Sequence, residues 1–254
     1  MSHGIQIAKP SARLFAIGDI HGCIAELETL LTHLTKSLEL NPADRVIFIG
    51  DYIDRGRYSK EVVDLVINFR KDFPDTVFLK GNHEDMLLHY LGFKGSSGEM
   101  YLKNGGGKTL QSYGAEADGN AAAALEKIPM DHLDFFKSLE VLVDCAEYYF
   151  VHAGLNPKKA FKKQAVEDLY WIREGFIDET HNFGKTVVFG HTPHAEVIFD
   201  LPWKIGIDTG LVYGNMLSCV ELKEGQIYQV ARKSKKVDVR AFPFFEPTRT
   251  VHKS

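Results

Sequence analysis

The stretch GDYIDRG, Gly50 to Gly56, places two carboxylates and a guanidinium directly after the apolar run Val46-Ile47-Phe48-Ile49. A short apolar run of this kind reads as a buried strand. Charged groups gathered at the end of a buried strand are unfavourable unless something neutralises them. The same arrangement recurs along the chain. Leu14 to Ile17 runs into Asp19 and His21, and Val77 to Leu79 runs into Asn82 and His83. Tyr148 to Val151 ends at His152, and Val187 to Phe189 is followed by His191.

Helical patterns lie between the first of these runs. Ile24, Leu27, Leu31, Leu34 and Leu38 recur every three or four residues until Asn41-Pro42 breaks the pattern. A second helix is expected over about 59–73, with Val62, Val66, Phe69 and Phe73 facing inward and Pro74-Asp75 ending it. Alternation of strand and helix predicts parallel βαβ units. Ligands of open α/β sheets sit beyond the carboxyl ends of the strands, so five strand ends would offer their polar residues to one place. Later, MLSCVELKEGQIYQV (216–230) reads as a hairpin turning at Glu224-Gly225. The expected organisation is an N-terminal arm over 1–12 and a single domain over 13–232. That domain carries a glycine-rich and helical insertion at about 94–134, and a tail covers 233–254.

The chain has 254 residues, 44% of them hydrophobic and 25% charged, which suits one globular core. A formal net charge of -4 argues against a general nucleic-acid binder. Cys23, Cys145 and Cys219 are odd in number, far apart and without a CxxC pair, so a reducing, cytoplasmic setting is expected. No eighteen-residue apolar stretch suggests a membrane span, and MSHGIQIAKPSA at the start lacks the pattern of a signal peptide. A monomer without membrane or nucleic-acid partners is expected.

Mixed carboxylate and imidazole donors suit manganese, iron or zinc better than calcium, which takes oxygen alone. The number of donors points to two divalent ions. Paired metals about 3.5–4 Å apart drive in-line displacement at phosphorus. Asp51, in the middle motif, is the natural bridge. Singly, each residue has a plain structural use: Asp19 could cap a helix, and His152 or His191 could be a satisfied core histidine. Together they require several independent coincidences on that view.

The motifs GDIHG (18–22), GDYIDRG (50–56), GNHE (81–84), VHAGL (151–155) and FGHT (189–192) resemble the calcineurin-like metallophosphoesterase superfamily. More narrowly, they resemble its bacterial and phage-type serine/threonine phosphoprotein phosphatase branch. The spacing agrees: 28 residues lie between His21 and Gly50, and 24 between Gly56 and Gly81. The resemblance implies a four-layer αββα sandwich of two mixed sheets. It implies that Asp19, His21 and Asp51 hold one metal, and that Asp51, Asn82, His152 and His191 hold the other. Manganese is the expected ion, with iron, zinc or nickel as alternatives. His83 would face away from the metals and protonate the leaving oxygen, oriented by Asp54. Arg55 and Arg173 would grip the phosphate, which a hydroxide lying between the metals would attack.

The expected substrate is then a phosphomonoester, foremost phosphoserine or phosphothreonine in a phosphoprotein. Asp54 and the GNHE form of the third motif favour that branch. The alternatives are a symmetrical bis(5'-nucleosyl)-tetraphosphatase, a broad-specificity phosphoesterase acting on a small phosphorylated substrate, and a non-catalytic scaffold. GGGKT (105–109) and GKT (184–186) look like phosphate loops but lack the earlier glycine, Leu102 and Glu179 standing there. Asp208 and Tyr213 are placed near the site without a role.

Overall fold

The structure is a computed structural model and describes residues 4–8 and 12–243. Two six-stranded sheets form its centre. The first is built on a parallel core: β2 (Leu14–Ile17) pairs with β3 (Arg45–Phe48), and β3 pairs with β4 (Val77–Phe78). The second is centred on β6 (Tyr148–Val151), β7 (Thr186–Phe189) and β9 (Lys204–Gly206), also parallel, with β5 (Leu142–Cys145) antiparallel to β6. β8 (Ile198–Asp200) forms one edge of the second sheet. The hairpin β10 (Met216–Glu221) and β11 (Gln226–Ala231) extends the first, with β10 lying antiparallel to β2.

Side chains alternate across a strand with a period of two, and that alternation makes the layers. Phe15, Ile17, Val46 and Phe48 pack under α1 (Ile24–Thr32) and α2 (Ser59–Asp72). Their neighbours Leu14, Ala16, Ile47 and Ile49 face the other way, against Val143, Phe150, Val188 and Ile205 of the second sheet. Beyond that sheet, Tyr149, Val151, Val187 and Phe189 pack with Leu169 and Phe176 of two short helices. The strands are buried on both faces and so read as unbroken apolar runs. The result is the αββα sandwich expected from the sequence.

The helical stripe of α1 continues as one wide turn over His33–Ser37, so the expected single helix changes pitch before it ends. The insertion follows α3 (Asn82–Tyr90). It folds into α4 (Gly106–Ser112), α5 (Ala121–Lys127) and α6 (Met130–Ser138) and covers the first sheet with Leu110, Tyr113, Ile128 and Phe136. Pro129 separates the last two of these helices, as a residue that cannot donate to a preceding turn does. Both segments expected to flank the domain add edge strands. β1 (Ile5–Ile7) lies parallel to β5, and β12 (Val237–Ala241) pairs with β11. The aromatic end of the tail, from 244 on, lies outside the described residues.

Candidate metal centre and active site

All five strand ends converge on one cluster of side chains, and the backbone is bent to bring them together. His21, Asp51, Asp54, Arg55 and His191 have φ between 46° and 71°, a left-handed conformation that non-glycine residues seldom adopt. Backbone strain of this kind collects at functional sites, where the surrounding structure enforces it. Gly81 and Gly190 make room: a Cβ on either would overlap the carboxylate of Asp51 or Asp19 respectively.

Asp51 sits in the middle. Its Oδ2 lies 3.4 Å from His21 Nε2, and its Oδ1 lies 3.4 Å from His152 Nε2. The Asn82 amide oxygen lies 3.0 Å from His152 Nε2 and 2.9 Å from His191 Nδ1. His21 and His152 are fixed from behind, their Nδ1 atoms meeting the carbonyls of Ile53 at 2.8 Å and Ile49 at 3.0 Å. These backbone bonds turn the Nε2 atoms toward the other donors of the cluster. Asp19 accepts from the His191 N–H at 3.0 and 3.3 Å.

Two groups of buried donors could hold a metal: His21, Asp51 and His83, and Asp51, His152 and His191. Asp51 belongs to both. The donor set fits divalent cations on electrostatic grounds. Burial, and then the neighbouring Asp208, pushes the Asp19 carboxyl well up. Asp208 itself is pushed to about 6 by burial, with Asp51 adding to it. Asp51 is buried too, yet His152 and His83 hold it well down. The same contact raises His152 to about 9 against its burial. Three buried carboxylates crowded together with imidazoles lack positive charge that cations would supply. His83 Nε2 and His191 Nε2 are also buried without a hydrogen-bond partner.

His83 differs from expectation in its direction. Its Nδ1 lies 2.6 Å from Asp54 Oδ2 inside the protein, which turns Nε2 toward the cluster, 4.0 Å from Asp51 Oδ2. The ring meets that of His21 edge-on, with centroids 4.7 Å apart. It therefore faces the cluster rather than away from it. One ring nitrogen is tied to a carboxylate and the other is free toward the reaction space, as a proton donor requires.

Sequence reasoning missed two supports. Glu84 accepts from the backbone N–H groups of Asp51, Tyr52 and Gly81 at 3.0, 2.8 and 2.9 Å, fixing the loop that carries Asp51. Burial, with Asp51 nearby, pushes its carboxyl to about 7. The signal was its place three residues into α3, where an acid reaches back to the N-terminus. Thr109, in the rejected GGGKT, is the second. Its hydroxyl lies 2.6 Å from Asp54 Oδ1, 2.8 Å from the Asp54 N–H and 2.9 Å from Ser59 Oγ.

The two arginines stand half-buried on opposite sides. Arg55 Nη1 is 2.6 Å from His21 Nε2, and its guanidinium lies over the Tyr213 ring at 5.5 Å. Tyr213 is 64% exposed and so borders the mouth. Arg173 Nη1 donates to the His191 carbonyl at 3.4 Å and to Thr192 Oγ1 at 3.3 Å. Among the described residues, no helix is long and apolar enough to cross a membrane.

Comparison with known proteins corrects the expected substrate. The chain is 28% identical over 244 residues to the asymmetrical bis(5'-nucleosyl)-tetraphosphatase PrpE of Oceanobacillus iheyensis, covering 85% of this chain and 91% of that one. The PrpE of Anoxybacillus flavithermus, of the same name, is 26% identical over 249 residues, 90% of this chain and 98% of its own. A crystal structure provisionally assigned as a diadenosine tetraphosphatase superposes with a TM-score of 0.63 at 23% identity, covering 90% of this chain and 98% of that one, a likeness of fold. These relatives overturn the reading as a serine/threonine protein phosphatase. They also differ from the symmetrical tetraphosphatase held as the alternative. The physical reason is that the five motifs handle metal and a phosphoryl group, whatever that group is attached to, so Asp54 and GNHE were not a test of substrate. Residues 12–215 match the calcineurin-like phosphoesterase description. By that match and by the sandwich that carries the motifs, this chain belongs to the calcineurin-like phosphoesterase family.

Proposed function

We propose that this phosphoesterase hydrolyses bis(5'-nucleosyl) tetraphosphates at an unequal position, releasing a nucleoside triphosphate and a nucleoside monophosphate. The reaction type rests on one observation: Asp51 is shared by two groups of buried metal donors, beside a histidine paired with Asp54. The substrate rests on the names of the relatives. Four phosphates split unequally between two intact nucleotides leave three on one side and one on the other.

In this reading Asp19, His21 and Asp51 hold one divalent ion, and Asp51, Asn82, His152 and His191 hold a second, manganese being the ion to add first. Bound divalent ions supply an acidified water and offset the charge of the attacked phosphate. Asn82 contributes an oxygen without a negative charge, so it does not repel the incoming anion. Arg55 and Arg173 hold the phosphoryl oxygens with planar, charge-assisted hydrogen bonds. Water oxygen bonds to phosphorus as the bridging P–O bond breaks. His83 Nε2 gives its proton to the departing oxygen, and Asp54 holds the ring in place through Nδ1.

The test is product analysis. The manganese-loaded protein is given bis(5'-adenosyl) tetraphosphate, and the nucleotides are separated by anion exchange. ATP and AMP in equal amounts are expected. Two equivalents of ADP, or intact substrate, would remove the proposal.

A further inference from the structure

A cleft of about 840 Å³ lies beside α3, lined by residues that neighbour the site residues in sequence. Lys80 lines it two residues before Asn82. Tyr170 lines it from α7 (Val166–Trp171), three residues before Arg173. At 1.5 Å of rise per residue, Asp85 in the same wall lies only about 5 Å along α3 from the Asn82 ligand. The cleft therefore lies within a few residues of Asn82 and Arg173, and its size is that of a nucleotide pocket.

Its chemistry is cationic and aromatic. Lys80, Lys94 and Lys137 line it, and none has a carboxylate within ion-pair distance among the described residues. Lys80 is half-buried in the lining. Lys137 Nζ lies 3.9 Å over the ring of Phe93. Of the two acids in the lining, Glu167 is exposed. Asp85 is already engaged by the Ser96 N–H at 2.9 Å and hydroxyl at 2.6 Å. Three ammonium groups against two carboxylates leave a positive cleft on a chain whose net charge is negative. A second cleft, between α1 and Lys235-Lys236, has no lining residue within three positions of Asn82 or Arg173.

We infer that this cleft receives the longer arm of the substrate: Lys80, Lys94 and Lys137 hold the triphosphate, and Phe93 and Tyr170 flank the nucleoside. An enzyme that cuts four phosphates into three and one must tell the two arms apart. The arms differ most in charge, and a row of unpaired ammonium groups on one side of the scissile phosphate reads that difference. This assignment rests on the proposed function, but its test does not depend on cleavage.

The experiment is equilibrium binding of ATP and AMP to the manganese-loaded protein, with free manganese held constant. Wild type, Lys94→Ala and the double variant Lys80→Met/Lys137→Met are compared. ATP should bind the wild type more tightly than AMP. The double variant should lose about tenfold in ATP affinity with AMP unchanged. Lys94→Ala, on an exposed residue that cannot disturb folding, should lose about threefold for ATP alone. Equal losses for both ligands, or no loss for ATP, overturn the cleft assignment. Absence of tetraphosphate cleavage by the wild type would remove the proposed function, while the difference between ATP and AMP would still judge the cleft.

Discussion

The two sheets contribute unlike halves of the site. The first brings the acids: Asp19, Asp51 and Asp54 follow its strands, and the neutral Asn82 with His83 follows β4. The second brings His152 and His191 from its own strand ends, and Arg173 comes from the segment packed on its outer face. The first half is heavily braced. Glu84 takes the N–H groups of Asp51 and Tyr52 together with that of Gly81, Thr109 takes both ends of Asp54, and four of its residues hold a left-handed backbone. In the second half His152 is fixed by a single carbonyl and only His191 is left-handed. Carboxylates repel one another and must be forced together. Imidazoles drawn toward them need less holding.

The strongest way to break this contrast is to remove the shared acid. Asp51→Asn should empty both metal groups and lower kcat on the order of 10³-fold. Elemental analysis beside a rate assay checks it, and full metal occupancy in the variant would refute the shared role. His83→Asn should leave metal content intact and lower kcat by about 10²–10⁴-fold, most for substrates with poor leaving groups. Loss of metal instead would make His83 a ligand, as its place in one donor group allows.

Thr109→Val sharpens the comparison by removing one brace. It strips Asp54 of a buried donor while keeping side-chain volume. We expect kcat to fall about tenfold at unchanged KM, with Thr109→Ser restoring it. A variant that is unstable but kinetically normal would reduce Thr109 to a packing residue.

The smallest effect lies far from the site. Asp44 is buried, but hydrogen bonds from Arg13, at 2.6 Å and 3.0 Å, hold its carboxyl below the usual carboxylate range. A depressed folded pKa means stability that is complete above the unfolded value of about 4 and lost as pH falls through the lower folded one. Asp44→Asn should cost about 1–2 kcal/mol at pH 7 and less at an acid pH. Urea unfolding at the two pH values measures it.

The sequence carried the strands that lead into the candidate site and the β10–β11 hairpin, whereas β1, β5, β8 and β12 were not legible in it. Each ligand follows its own apolar run, and that local pattern survives any later packing. It did not carry Thr109, because the contact joins residues 55 positions apart and the surrounding glycines suggested a different motif. Nor did it carry the direction of His83. Position next to Asn82 says nothing about which nitrogen a distant Asp54 will capture. Substrate was the least legible, since the motifs describe the group transferred and not the molecule that bears it. The pocket that would read that molecule is assembled from α3, the insertion and α7, none of which has a repeating signature.

Asp51 has a mechanical consequence besides its chemical one. Its oxygens face histidines grown from both layers, so an ion seated there rivets one slab of the sandwich to the other. Occupancy and cohesion then rise together, because whatever binds only the folded form stabilises it. A chelator should lower the melting temperature and open the seam to proteases before it touches either edge, and a cell short of the ion would lose the protein itself along with its turnover.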